Sequence, residues 1–196
     1  MTFSLPIDPA ANALLGRSPL ALLIGMLLDQ QVPMERAFSA PHDLAQRLGH
    51  EPTAEELAGY DLEALIAVFS GRPALHRYPR AMAARVQELA RIIVTDYDGD
   101  PARIWTEAAS GRDLLRRVSG LPGFGPQKAR IFVALLGKQF GVQPDGWRAA
   151  AAPFGEEGVF HSVADIDDEE SLGKVRAHKQ EMKAAAKAAG TTRASK

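Results

Sequence analysis

Apolar positions along this chain recur at helical spacing or in short unbroken runs, and two-residue alternation is confined to the first eight residues. That opening, "MTFSLPID", reads as an extended N-terminal arm. Ser18-Pro19 then supplies a cap followed by proline at the first helical position, and predicts a helix over 19–31. It is apolar nearly all round, as a central helix is. A second helix is predicted over 40–49, ending at Gly49. Thr53 and Glu56 have capping-box spacing, and Asp61 repeats a capped start before "LEALIAVFS". Over 79–97, Met82, Val86, Leu89, Ile93 and Val94 form one stripe, with Arg85 and Arg91 off it. Pro101 opens a short helix, and further helices are predicted over 110–118 and from Pro126 to about Gly137. Residues 145–163 mix an alanine run with Pro153, Gly155 and Gly158, which predicts a loop containing one helical turn. Residues 167–190 read as a helix with acidic residues first and Lys/Arg later, as the helix dipole favours, and "TTRASK" as a frayed tail. The fold class is all-α, with no internal repeat.

Composition narrows the function less than the pattern does. The chain has 196 residues, 46% of them hydrophobic, and a formal net charge of −1, so any basic surface must be local. It contains no cysteine, which excludes disulfides, zinc–thiolate sites and iron–sulfur clusters. The most apolar stretch, residues 19–32, is interrupted at Asp29 at roughly half the length of a membrane span. No charged start or small-residue cleavage site frames it as a signal peptide. The expectation is a cytoplasmic protein with no membrane partner.

The most informative segment is "LPGFGPQKAR", residues 121–130. Pro126 is suited to a helical first turn, and Gly123 and Gly125 on either side of Phe124 permit positive φ and close backbone approach. Free N–H groups at the start of the following helix form an anion site, to which Lys128 and Arg130 can add charge. A DNA phosphate suits it. The segment also reads as a plain turn between two helices, and the residues alone leave both readings open. The flanks are amphipathic: Leu114, Leu115 and Val118 before the turn, and Ala129, Phe132, Val133 and Leu136 after it.

"SGLPGFGPQKARIFVALL" resembles the helix–hairpin–helix signature of the HhH-GPD superfamily of DNA glycosylases, which act in base excision repair. In that family a catalytic aspartate follows the hairpin at a set distance. The family position of the Schiff-base lysine falls on Gln127, and Asp145 stands eighteen residues beyond it, the family spacing, after a loop containing Gly141 and Pro144. The segment over 22–49 is similar to the family helix that ends in a Gln- or Asn-rich turn, where a polar side chain fills the gap left by a flipped base. Gln31 matches best and Gln30 second, although Asp29 and Gln30 also read as plain caps of the buried helix.

The resemblance covers roughly residues 20–147. It implies a single domain over 1–196, with 20–100 and the C-terminal helix divided between two lobes and 110–145 carrying the hairpin and catalytic loop. It implies Asp145 as the catalytic carboxylate, phosphate contacts at Gly123, Gly125, Gln127 and Lys128, and a base-gap wedge at Gln30 or Gln31. Backbone carbonyls of Ser119, Leu121 and Phe124 are implied as a monovalent-cation site; no other cofactor is implied, and an iron–sulfur cluster is ruled out. Because an amide cannot form an imine, Gln127 implies a monofunctional glycosylase that uses water. The implied partner is double-stranded DNA carrying a damaged base, an alkylated purine among the candidates, bound by a monomer. The chain departs from the family after Asp145, where Gly146, Trp147 and Arg148 replace the usual Thr or Ser, His and Arg. The alternative is a non-catalytic helix–hairpin–helix DNA-binding protein, and a third reading is an all-α interaction domain. Lys174, Arg176, Lys179, Lys183 and Lys187 give the last helix a cationic side, read as a solvated face before a second DNA contact.

Overall fold

A computed structural model describes residues 3–193, with side chains as far as Lys187. Met1 and Thr2 of the expected arm, and Ala194–Lys196 of the expected tail, lie outside the described residues. Among the described residues the chain is helical, with no strand. Its α-helices are α1 (Pro9–Arg17), α2 (Pro19–Leu28), α3 (Met34–Leu48), α4 (Ala54–Gly59), α5 (Leu62–Ser70) and α6 (Pro79–Tyr97). They continue with α7 (Arg103–Thr106), α8 (Gly111–Ser119), α9 (Pro126–Gln139), α10 (Trp147–Ala150) and α11 (Glu169–Arg193), with a 3-10 turn at Val163–Asp165.

The arm forms no strand and bends at Pro6–Ile7, where the Ile7 N–H donates to the Leu5 carbonyl (2.8 Å), and Asn12 holds it from α1: the Leu5 N–H donates to Asn12 Oδ1 (2.8 Å), and Asn12 Nδ2 donates to the Leu5 carbonyl (2.7 Å). The helix α1 itself was not expected, although Asp8 caps it through Ala10 (2.8 Å) ahead of Pro9 at its first turn. Ser18 then caps α2 as predicted, and every residue of α2 from Leu20 to Leu28 is buried. Helix α3 begins at Met34, well before the expected start, and carries Pro41 inside it. The amphipathic burial of Met34, Ala37, Phe38, Ala40 and Leu44 outweighs the hydrogen bond that Pro41 cannot make. It ends at Gly49, in the left-handed region at φ 81°.

Only half of the expected capping box at α4 forms. Thr53 Oγ1 accepts from the Glu56 N–H at 3.2 Å, but the Glu56 carboxylate turns to His50 (2.8 Å). Helix α6 has the predicted bounds, with Met82, Val86, Leu89 and Ile93 buried. Its buried Gln87 donates to the Tyr60 carbonyl (2.6 Å), tying α6 to the α4–α5 turn. Helices α8 and α9 form the predicted hairpin, whose centre is Phe132, with Phe124 edge-on at 5.6 Å and Trp105 at 6.2 Å. The core is continuous from α1 to the first turns of α11. No single helix among the described residues is long and apolar enough to cross a membrane.

Candidate functional site

The hairpin has the chemistry of an anion cradle, with its two glycines in different roles. The Phe124 N–H closes a turn on the Leu121 carbonyl (3.1 Å), and Gly123 sits in that turn at φ 79°. Gly125 does not need positive φ, contrary to expectation: it is the extended N-cap of α9, at φ −64° and ψ 171°. Leu121 and Phe124 are buried and anchor the loop, leaving Gly123, Gly125, Pro126 and Gln127 exposed. Among the described residues, the N–H groups of Gly125, Gln127 and Lys128 donate no hydrogen bond. Three outward donors at the positive end of a four-turn helix suit a phosphate. Of the carbonyls implied for a cation, that of Leu121 serves the turn with one lone pair, and those of Ser119 and Phe124 accept no hydrogen bond among the described residues.

The Lys128 side chain, expected at the phosphate, is engaged on another helix. Its ammonium folds back onto the C-terminus of α2 and donates to the carbonyls of Met26 (3.0 Å) and Leu27 (3.1 Å). Burial pushes its pKa below the ordinary lysine value, against the opposing charge of Asp29. The helix α2 ends without any other side chain on the Met26 carbonyl, so a cation there satisfies the negative pole of the helix. Only the Lys128 backbone N–H remains for an anion.

The same contact locks the hairpin to the Gln-rich turn. A Cβ added to Gly123 would stand 2.8 Å from Leu27 Cδ1 and 4.0 Å from Gln30 Nε2. The turn itself separates the two glutamines. Gln30 bends back, donating to the Leu27 carbonyl (2.8 Å) and accepting from Arg85 (3.1 Å), so its cap reading describes the structure. Gln31 is exposed, with φ 57°, and its Oε1 accepts from the Tyr78 hydroxyl at 3.2 Å. Beneath them lies His76, 2% exposed, whose Nε2 bonds the Gln30 carbonyl (2.9 Å) while Nδ1 accepts the Tyr78 N–H (3.0 Å). These partners require a neutral ring protonated on Nε2, and burial pushes the His76 pKa down accordingly. Arg85, whose position off the α6 stripe was legible, and His76 and Tyr78, whose roles were not, all support this turn.

Asp145 lies elsewhere. Its carbonyl accepts the Gly111 N–H (2.8 Å) at the start of α8. The loop then seats Trp147 against two glycines, its backbone 2.4 Å from a Cβ placed on Gly111 and its ring 2.3 Å from one placed on Gly137. Gly137 is ten residues beyond Gln127, about 15 Å along α9 at the usual helical rise. The Asp145 carboxylate is exposed in a groove with Ser110, Arg112, Leu115 and Arg130. Gln127 is exposed at the hairpin, one turn before Arg130 on the same helix. The hairpin and the Gln turn are therefore brought together, and Asp145 shares its groove with Arg130, one turn beyond Gln127. Among the aromatic residues, Trp147 and Phe69 are core, while Tyr78, 41% exposed beside Gln31, faces solvent.

The last helix also reaches this region. Arg176 pairs with Glu35 of α3, and the charge of Lys179 acts on Asp29 at the end of α2.

No curated protein and no solved structure matches the chain. A family model described as HhH-GPD superfamily base excision DNA repair protein matches residues 24–191, from α2 through most of α11. The match runs well past the segment in which the motifs were legible, and with it the chain belongs to the HhH-GPD superfamily of base excision DNA repair proteins.

Proposed function

We propose that the protein is a monofunctional DNA glycosylase that hydrolyses the N-glycosidic bond of a damaged, flipped-out base, with an alkylated purine among the candidate substrates. The observation that carries this reading is the juxtaposition of the hairpin with the Gln turn, held by Lys128 on the α2 carbonyls and by Gly123 against Leu27. A glycosylase needs both at once: amides that hold the backbone, and a polar side chain that occupies the gap while the nucleotide is out of the stack. The N–H groups of Gly125, Gln127 and Lys128 serve the first role and the exposed Gln31 the second. The carbonyls of Ser119, Leu121 and Phe124 are the candidate seat of a monovalent cation, which when bound supplies positive charge beside the phosphate.

Departure of the base leaves positive charge on the sugar, which a carboxylate stabilises while water attacks. The family spacing gives that role to Asp145, and the guanidinium groups of Arg112 and Arg130 along its groove suit the passage of a DNA strand. With glutamine at position 127, no amine stands at the family's Schiff-base position. The protein acts as a monomer on double-stranded DNA. The test is a panel of duplexes carrying methylated, deaminated or oxidised bases. The wild type should release one class of base, and Asp145→Asn should slow release by about 100-fold or more, as loss of a charge-stabilising group does. If no base is released, the enzyme reading fails; release undiminished in Asp145→Asn reassigns the carboxylate.

The departure after Asp145, where Gly146, Trp147 and Arg148 replace the family's Thr or Ser, His and Arg, favours a second reading, a DNA-binding protein that retains the hairpin without turnover. Lesion-selective binding without base release distinguishes it.

A further inference from the structure

Asp29 stands at the junction of α2 and the Gln turn, and electrostatics and solvation both disfavour it there. It is the C-cap residue of α2, so its negative charge lies at the negative pole of a ten-residue helix. Its side chain is mostly enclosed, and among the described residues its carboxylate accepts no hydrogen bond. Burial pushes its pKa up, the charges of Lys179 and Lys128 pull it down, and Glu35 pushes it up further. An asparagine or serine would cap the helix there without these penalties. A carboxylate that accepts no hydrogen bond, at the helix end where the Lys128 ammonium sits on the Met26 and Leu27 carbonyls and directly before the Gln turn, has the environment of a working group rather than of a structural one.

We propose that Asp29 is a second catalytic carboxylate of the site, facing the sugar of the nucleotide displaced beside Gln31. This rests on the glycosylase reading above, but not on any role for Asp145. With the phosphate on the hairpin amides and Gln31 in the vacated gap, the displaced sugar comes to the end of α2. Asp29 carries the charge that C1′ develops there. The C1′–N bond breaks with its electron pair leaving on the base, which takes a proton from solvent. The oxygen of a water bonds C1′ and passes its proton to the carboxylate, which returns it to solvent. The products are the free base and a sugar hydroxylated at C1′. The charges of Lys128 and Lys179 favour the ionised carboxylate against its burial.

The test uses stable abasic-site analogues, so that neither the lesion nor turnover has to be known. One duplex carries a pyrrolidine residue, cationic where the sugar charge develops, and the other a neutral tetrahydrofuran residue. The wild type should bind the pyrrolidine duplex roughly tenfold tighter or more, as expected for a charge-assisted contact. Asp29→Asn should lower this ratio several-fold while the tetrahydrofuran duplex stays bound. Asp29→Ser repeats the measurement if the Asn protein is poorly folded by its melting curve. A preference retained in the Asp29 variants, or absent from the wild type, overturns the proposal. Failure of the wild type to prefer either abasic duplex over undamaged DNA overturns the glycosylase reading instead. A merely structural Asp29 would change melting and not the ratio.

Discussion

Lys128 and Met26, one in the first turn of α9 and the other in the last turn of α2, are joined by a 3.0 Å hydrogen bond from the ammonium to the carbonyl. A residue that reads as a phosphate contact in the sequence instead fastens the hairpin to the turn that carries the glutamines. Lys128→Met should therefore cost about 1–3 kcal/mol of stability, the loss of two charged hydrogen bonds to the last carbonyls of α2. The log–log salt slope of DNA binding should stay as it is, since no phosphate contact is removed. Denaturant unfolding and binding titrations between low and moderate salt check the two halves. A slope lowered by about one would return Lys128 to the phosphate.

The two hairpin glycines should separate stability from binding. Alanine at Gly123 meets both a positive φ and Leu27 at 2.8 Å, so Gly123→Ala should lower the melting temperature and weaken DNA binding together. Gly125 has an ordinary extended conformation, with nothing within 4 Å of an added Cβ. Gly125→Ala should melt as the wild type does and lose affinity only, because its methyl stands where the phosphate approaches. Unchanged DNA affinity in that variant would remove the anion site from the hairpin.

Borohydride trapping on lesion-bearing duplexes should yield no covalent protein–DNA adduct. Position 127 offers an amide, and the only amine in the same turn, that of Lys128, is engaged on the α2 carbonyls. A robust adduct, read as a shifted band in a denaturing gel, would refute the monofunctional reading.

His76 should make the Gln turn sensitive to acid. Burial holds its folded pKa below the ordinary histidine value of about 6.5. Above that pH the ring is neutral in both states and contributes no pH dependence. As pH falls below it, the unfolded chain binds a proton that the folded chain resists, so stability declines until the lower folded pKa is passed. His76→Gln should flatten this part of the profile. Unfolding free energies measured at pH 7.5 and pH 5, wild type against variant, decide it: equal pH dependence in the two proteins would mean that His76 does not titrate as its partners require.

Local signals carried the sequence reading a long way, and they did so where a residue and its partner are near neighbours in the chain. The caps at Ser18 and Asp61, the bounds of α6 and the αα-hairpin all follow from spacing and turn chemistry. So do the all-α class and the family, which the match over residues 24–191 supports. What spacing could not show is where side chains go across the fold. Lys128 reaches a carbonyl 102 residues away in sequence, and Arg85 and Tyr78 divide Gln30 from Gln31 over contacts 55 and 47 residues apart. Asp145 has the family's sequence distance, yet its place is decided by Trp147 wedging against Gly111 and Gly137. Asp29 reads as an ordinary helix cap until the burial around it and the approach of Lys128 and Lys179 are known. Periodicity and capping are determined within a few residues; desolvation and charge pairing depend on which helices meet, and only the tertiary structure decides that.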